Sequence, residues 1–141
     1  YGPNMDINDG RVVSNFIIQA LKNKNMTVYG KGDQTRSFQY VDNLVDGLIQ
    51  LMNNEHDYRL PVNIGNQNEY SILQLAEVII KETKSKSKIV FKPLPSDDPK
   101  VRRPDTHLAS TIIPKWESNI NLVDGLSKTI QYFKNKVNTS A

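Results

Sequence analysis

Thr27-Val28-Tyr29-Gly30-Lys31-Gly32-Asp33-Gln34-Thr35-Arg36-Ser37-Phe38-Gln39-Tyr40 reads as a short strand, a tight glycine turn, an arginine and a second short strand running into a helix. Gly30 and Gly32 permit the positive φ that a sharp turn needs, and the amides of such a turn can face an anion. Arg36 follows, and its planar guanidinium can grip a phosphate through two parallel hydrogen bonds. The competing reading is an ordinary β-turn followed by an arginine in a surface ion pair. A lone Gly-x-Gly does not separate the two. No helix opens directly after the glycines, so the turn is not the dinucleotide-binding fingerprint.

Outward from this stretch the chain alternates helices with short strands. Upstream, Gly10 to Lys22 carries Val13, Phe16, Ile17, Ala20 and Leu21 at amphipathic spacing. The strands fall at Met26–Tyr29 and Ser37–Tyr40. Downstream, Val41, Leu44, Val45, Leu48, Ile49 and Met52 form a helical stripe. Pro61 to Gly65 reads as a strand. Ser71 with Gln74 has capping-box spacing ahead of a helix that includes Ile72, Leu75, Ala76, Ile79 and Ile80. Ile89 and Phe91 alternate with lysines, as in a half-buried strand. A short helix is expected around Asp105 to Ile112, and Asn121 caps a last one. The fold class is α/β, with strands too short for a free-standing sheet.

Pro93 to Pro104 holds four of the seven prolines and reads as an extended loop. It contains Asp97-Asp98-Pro99-Lys100-Val101-Arg102-Arg103-Pro104-Asp105. Arg102 and Arg103 could reach a ligand, forming with Arg36 the two halves of a phosphate clamp. Alternatively they are a solvated basic pair neutralised by Asp97, Asp98 and Asp105. The two adjacent carboxylates lack a histidine or further carboxylate at ligand spacing, so no metal is expected.

Composition bounds the function. The chain has 141 residues, one modest domain, with 38% hydrophobic and 23% charged residues. No apolar run reaches membrane-spanning length. The net charge of +3 is mild and the basic residues are interspersed with acids, which argues against nucleic acid. There are no cysteines, so neither disulfides nor thiolate metal sites are available. Tyr1-Gly2-Pro3 is a turn signal rather than a leader, as expected of a piece of a longer protein.

Other candidates are weaker. Asn8 or Asp9 is placed to cap the first helix. Arg11 in its first turn opposes the helix dipole, and an anion between Arg11 and the free N–H groups would reconcile them. Tyr132-x-x-x-Lys136 puts a phenol and an ammonium on one helix face, a proton-transfer spacing. It lies at the C-terminal end with no nucleotide-binding unit before it, and reads as coincidence. His56 and His107 read as surface residues, and Trp116 as a packing anchor.

Together the segments Tyr1-Gly2-Pro3, Asn8-Asp9-Gly10-Arg11-Val12-Val13-Ser14-Asn15-Phe16, Val28 to Arg36, Val62-Asn63-Ile64-Gly65-Asn66 and Asp97 to Asp105 resemble one family. It is the UDP-glucuronate decarboxylases (UDP-xylose synthases), within the extended short-chain dehydrogenases/reductases. The resemblance runs over nearly the whole chain and implies the C-terminal, substrate-binding portion of a Rossmann-type fold. The Tyr-Gly-x-Gly-x-Gln-x-Arg motif is shared with dTDP-glucose 4,6-dehydratases.

The resemblance implies an NAD-dependent carboxy-lyase: oxidation at the sugar C4, loss of CO2, and return of the hydride to give UDP-xylose. It implies that Arg36 and Arg102 bind the diphosphate, Tyr29 lines the uridine pocket, Asn63 bonds the nucleotide and Arg11 meets the glucuronate carboxylate. Asn4 stands where the family usually has an arginine for the NAD phosphates, so its cofactor contact is weak. The family's glycine-rich loop and catalytic Tyr-x-x-x-Lys belong to an N-terminal half that this sequence does not include. No catalytic residue is therefore assigned here, and the isolated chain is expected to be inactive. Residues 37–52 are expected to pack on that NAD-binding half. The complete enzyme is expected to be a homodimer and cytoplasmic, with a Golgi-anchored form as the alternative. Competing functions are a 4,6-dehydratase or epimerase fragment and a non-catalytic UDP-sugar-binding module.

Overall fold

The computed structural model describes residues 1–55 and 58–139. His56 and the last two residues of the tail lie outside the described residues. Ten elements follow in order: α1 (Val12–Leu21), β1 (Met26–Tyr29), β2 (Thr35–Ser37), α2 (Val41–Met52), β3 (Glu69–Ser71), α3 (Ile72–Thr83), β4 (Ile89–Lys92), β5 (Val101–Arg102), α4 (His107–Ile112) and α5 (Leu122–Thr139).

The strands form two small sheets. β1 pairs with β4 in parallel, with Tyr29 opposite Lys92. β2 is the middle strand of the other sheet, antiparallel to β3 and parallel to β5. Short parallel strands need a cover for their apolar faces. That cover is a three-helix layer: α1, α3 and α5 pack on one another, with α1 and α3 also against β1. Phe16 and Ile17 of α1, Met26 and Val28 of β1, Leu75 and Ile79 of α3, and Leu126 and Phe133 of α5 meet there, fully or almost fully buried. A smaller cluster forms around Trp116, whose indole N–H donates to the Asn43 carbonyl at 2.7 Å. Trp116 is the packing anchor expected of it.

Local chemistry sets the helix ends. Ser71 Oγ accepts from the Gln74 amide at 3.0 Å and Gln74 Oε1 accepts from the Ser71 amide at 2.8 Å, the reciprocal capping box. At α5, Asn121 Oδ1 accepts from the Asp124 amide at 3.0 Å and Asn121 Nδ2 donates to Asp124 Oδ2 at 2.7 Å. Neither Asn8 nor Asp9 caps α1: the cap position is Arg11, without a side-chain cap, and Asp9 accepts from the Arg11 amide at 2.9 Å and from the Ser14 hydroxyl.

Three expectations need correction. Pro61–Gly65 is not a strand: Val62 and Ile64 do turn toward the Trp116 cluster, but no ladder partner lies alongside. Side-chain contacts hold the segment instead, with Asn63 Nδ2 donating to the Asp105 carbonyl at 3.1 Å. The strand placed at Ser37–Tyr40 lies at Thr35–Ser37, because Tyr40 is drawn into the core at the start of α2. β4 is less buried than its alternation suggests. Ile89 is half-buried and Phe91 is 54% exposed, whereas Met26 and Val28 of its partner β1 are fully buried, because α1 and α3 pack chiefly on β1.

No helix among the described residues is long and apolar enough to cross a membrane. On α2, Val45, Leu48, Ile49 and Met52 are all exposed, Met52 by 83%. Their i, i+3, i+4, i+7 spacing makes one continuous apolar face.

Candidate functional site

Two cavities meet at Arg36, Ser37 and Arg102. The first, about 680 Å³, runs from Gly10 and Val12 at the start of α1 past Arg36 and Arg102 to Tyr29, Lys92 and Pro95. The second, about 490 Å³, continues past Asn63, Gly65 and Asn66 to Arg103 and Asp105. The shared waist is therefore cationic. Arg36 and Arg102 are register partners on the parallel strands β2 and β5, so their side chains leave the sheet on the same face.

The ion pairs sort the three arginines. Arg36 pairs with Asp98 and donates from its Nη1 to the Thr35 carbonyl at 2.7 Å. Arg103 lies 3.5 Å from Glu69, which also accepts from Thr35 Oγ1 at 2.6 Å. Arg102 is exposed and has no carboxylate partner among the described residues. The reading of Arg102 and Arg103 as one pair neutralised by Asp97, Asp98 and Asp105 does not hold: Asp98 serves Arg36, and Asp105 accepts from the His107 amide.

The glycine turn serves structure rather than anion binding. The Gly30 amide donates to the Lys92 carbonyl at 2.8 Å, which ties the turn to β4. Gly32 has φ +72, and a Cβ there would stand 2.8 Å from Val28 Cγ1 and 3.1 Å from Leu73 Cβ. Only glycine allows the turn to lie this close to the start of α3. Neither glycine lines a cavity. The anion-binding capacity lies in the arginine beyond the turn.

The structure brings Tyr29, Arg36 and Arg102 together on the first cavity and places Asn63 on the second. Arg11 is exposed and lines neither cavity, although its neighbours Gly10 and Val12 both do. Asn4 is exposed, has φ +68 and also lines neither. Tyr132 and Lys136 sit on α5 away from both cavities. Lys136 Nζ donates to the Tyr132 hydroxyl at 3.0 Å, and that hydrogen bond raises the ammonium pKa. His107 is exposed at the start of α4.

Three wall residues escaped the sequence reading. Gln34 is 4% exposed; its Nε2 donates to the Tyr29 carbonyl at 3.1 Å and lies 3.4 Å from Asp98. Asp98 closes on Arg36, and Lys92 stands beside Tyr29 across the β1–β4 pair. The signal for Gln34 was its place between the glycine turn and Arg36. Nothing local pointed to Lys92 or to the Asp98 pairing.

Residues 1–65 match the model of the NAD dependent epimerase/dehydratase family. UDP-glucuronic acid decarboxylase 1 of Danio rerio is 49% identical over 141 residues, all of this chain and 33% of that protein. UDP-glucuronic acid decarboxylase 1 of Arabidopsis thaliana is 47% identical over 137 residues, 97% of this chain and 31% of its own length. The chain thus spans about a third of the curated relatives it matches. In fold it is similar to UDP-glucuronic acid 4-epimerase of Bacillus cereus, solved with UDP-glucuronic acid and NAD. The TM-score is 0.88 at 27% identity, covering 96% of this chain and 43% of that one. UDP-glucose 4-epimerase of Thermotoga maritima, solved with UDP-glucose, superposes with a TM-score of 0.89 at 26% identity, over 97% of this chain and 44% of that one. The chain has the Rossmann-type fold of these epimerases and a sequence that resembles the UDP-glucuronic acid decarboxylases from end to end.

Proposed function

We propose that this chain is the substrate-binding portion of an NAD-dependent UDP-glucuronate decarboxylase that makes UDP-xylose. The observation that carries the reading is the cationic waist, where Arg36 and Arg102 stand in register between two cavities. A diphosphate bridging two arginines at the waist lets the rest of a nucleotide sugar extend into the flanking cavities. Charge-assisted hydrogen bonds supply the grip. Tyr29 offers the base an aromatic wall, and Asn63 bonds the nucleotide from the second cavity. The 49% identity to a UDP-glucuronic acid decarboxylase favours decarboxylation over the alternatives.

The described residues do not form a dinucleotide cradle. The one glycine turn is pressed against α3 and its Gly30 amide is engaged by β4. Redox chemistry therefore falls to residues outside this segment, and what these residues supply is binding and orientation. Arg11, which lies in the chain between Gly10 and Val12 of the first cavity's lining, is assigned the glucuronate carboxylate. A guanidinium bound to that carboxylate stabilises the ground state and opposes loss of CO2. Its use is therefore selection and ring orientation. The exposed face of α2 packs on the NAD-binding half in the complete enzyme, which works as a homodimer in the cytoplasm.

The deciding assay uses the full natural polypeptide, with labelled CO2 released from UDP-[14C]glucuronate as the readout. Release of CO2 with formation of UDP-xylose is the expected result. A second reading, 4-epimerisation of the same substrate, is favoured by the fold likeness to the Bacillus cereus epimerase. UDP-galacturonate without CO2 would establish that reading instead. Binding without turnover would leave a UDP-sugar-binding module.

A further inference from the structure

Asp98 lies in the connection from Pro93 to Lys100, between β4 and β5, and reaches back over the first cavity to Arg36. Both side chains are substantially shielded, 14% exposed for Arg36 and 30% for Asp98, so solvent screens this pair less than an ordinary surface one. The connection itself is exposed from Pro93 to Asp97. It is also held by Gln34 Nε2, which donates to Asp98 at 3.4 Å, by the Thr35 amide, which donates to the Lys100 carbonyl at 2.9 Å, and by Leu94, which rests beside Gly30.

We infer that Asp98 is an internal stand-in for the ligand's phosphate: it holds Arg36 until a phosphate arrives, then leaves and frees the Pro93–Lys100 connection. The inference rests on the UDP-sugar reading for the identity of the ligand.

Three observations carry it. Arg36 and Arg102 are neighbouring like charges, and Asp98 is the carboxylate paired with Arg36. A nucleotide-sugar diphosphate brings two negative charges of its own, which makes Asp98 the surplus anion once the ligand is bound. The hydrogen bonds of Arg36 point the same way. Its Nη1 donates to the Thr35 carbonyl and its Nη2 to Asp98, so both terminal nitrogens already have a protein partner. A bidentate grip on phosphate through those two nitrogens competes with Asp98 for the guanidinium. Finally, two buried oxygens in the same cavity wall, Gln34 Oε1 and Ser37 Oγ, have no hydrogen-bond partner among the described residues. Their desolvation is a cost of the arrangement with Asp98 in place. It is relieved when the connection lifts and ligand donors or water reach them.

The test titrates UDP, and separately inorganic pyrophosphate, into the full natural polypeptide and its Asp98→Asn, Asp98→Ala and Asp98→Glu variants. Hydrogen exchange over residues 93–100 is followed in parallel. Both neutral variants should bind the probes roughly three- to tenfold more tightly, while Asp98→Glu stays near the parent. UDP should raise exchange across the connection in the parent, and Asp98→Asn should show that raised exchange without UDP. Asp98→Asn preserves size, so it carries the comparison if Asp98→Ala fails to fold. Weaker or unchanged binding in the neutral variants overturns the stand-in, as does UDP-induced protection of the connection. Pyrophosphate binding with the Asp98 effect but no gain for UDP sinks the UDP-sugar reading and keeps the stand-in. UDP binding without the Asp98 effect does the reverse, and binding of neither probe overturns both.

Discussion

Arg36 and Arg102 stand opposite each other in register across the parallel β2–β5 pair. Two like charges side by side on a sheet repel and are destabilising unless something compensates them. Asp98 does so for Arg36, while Arg102 has no carboxylate partner among the described residues. On the reading proposed above, these two guanidinium groups between two cavities receive the diphosphate.

Removing either arginine should therefore weaken UDP binding. Hydrogen bonds to charged groups contribute about 1.5–3 kcal/mol each. Arg36→Ala and Arg102→Ala are thus expected to lose roughly ten- to hundredfold in affinity for UDP. Calorimetric titration of each single variant and of the double variant checks this. Affinity retained in both single variants would remove these residues from the site.

Gly32 and Gly10 separate backbone strain from crowding. Both have positive φ, +72 and +76, but a Cβ at Gly10 meets nothing within 4 Å, whereas at Gly32 it meets Val28 and Leu73. Gly10→Ala should cost only the left-handed backbone penalty, about 1–2 kcal/mol. Gly32→Ala adds overpacking of about 1–3 kcal/mol. Urea unfolding of the two variants measures the difference, and equal losses would show that the contact at Gly32 relaxes freely.

The Tyr1 phenol gives the fold an alkaline weakness. Burial raises its pKa above the ordinary value of 10.0, and Tyr40, Tyr70 and Asp124 add to the rise. Its hydroxyl donates to the Leu122 carbonyl at 3.3 Å. The folded phenol keeps its proton where an unfolded one releases it, so above about pH 10 the native state binds more protons. Stability is then full below that pH and falls as pH rises toward the folded pKa. Tyr1→Phe should cost about 1 kcal/mol at neutral pH and flatten the alkaline fall. An unchanged slope of unfolding free energy against pH would show that Tyr1 is not its source.

The face of α2 formed by Val45, Leu48, Ile49 and Met52 should behave as a covered surface in the complete protein. Leu48→Gln with Ile49→Gln is expected to leave the stability of the isolated segment within about 0.5 kcal/mol per substitution. The same pair should reduce binding of an apolar dye by the segment and lower the melting temperature of the full polypeptide. Identical melting temperatures in the full polypeptide would show that the face stays uncovered.

Much of the fold was legible because it is local. β1 and α2 have the bounds that their patterns predict, and the capping box at Ser71 and Gln74 forms as read. The cap at Asn121 likewise needs only a neighbouring amide. Where pairing decides, the pattern misled. Val62 and Ile64 alternate as a strand does, yet a strand exists only beside another. Phe91 is exposed because the covering helices α1 and α3 pack chiefly on β1.

The site divides in the same way. The sequence by itself determined the residue types, the glycine turn with its left-handed backbone, and the helical faces that bury one side of α1 and α3, because each follows from neighbours a few positions apart. The tertiary structure decided that Arg36 meets Arg102 and Asp98, that the turn amide goes to β4 rather than to an anion, and that Arg11 is exposed and lines neither cavity. These outcomes depend on strand register and on loops closing over long separations in the chain. A carboxylate far away in sequence can satisfy a guanidinium only once the sheet has brought the two within reach.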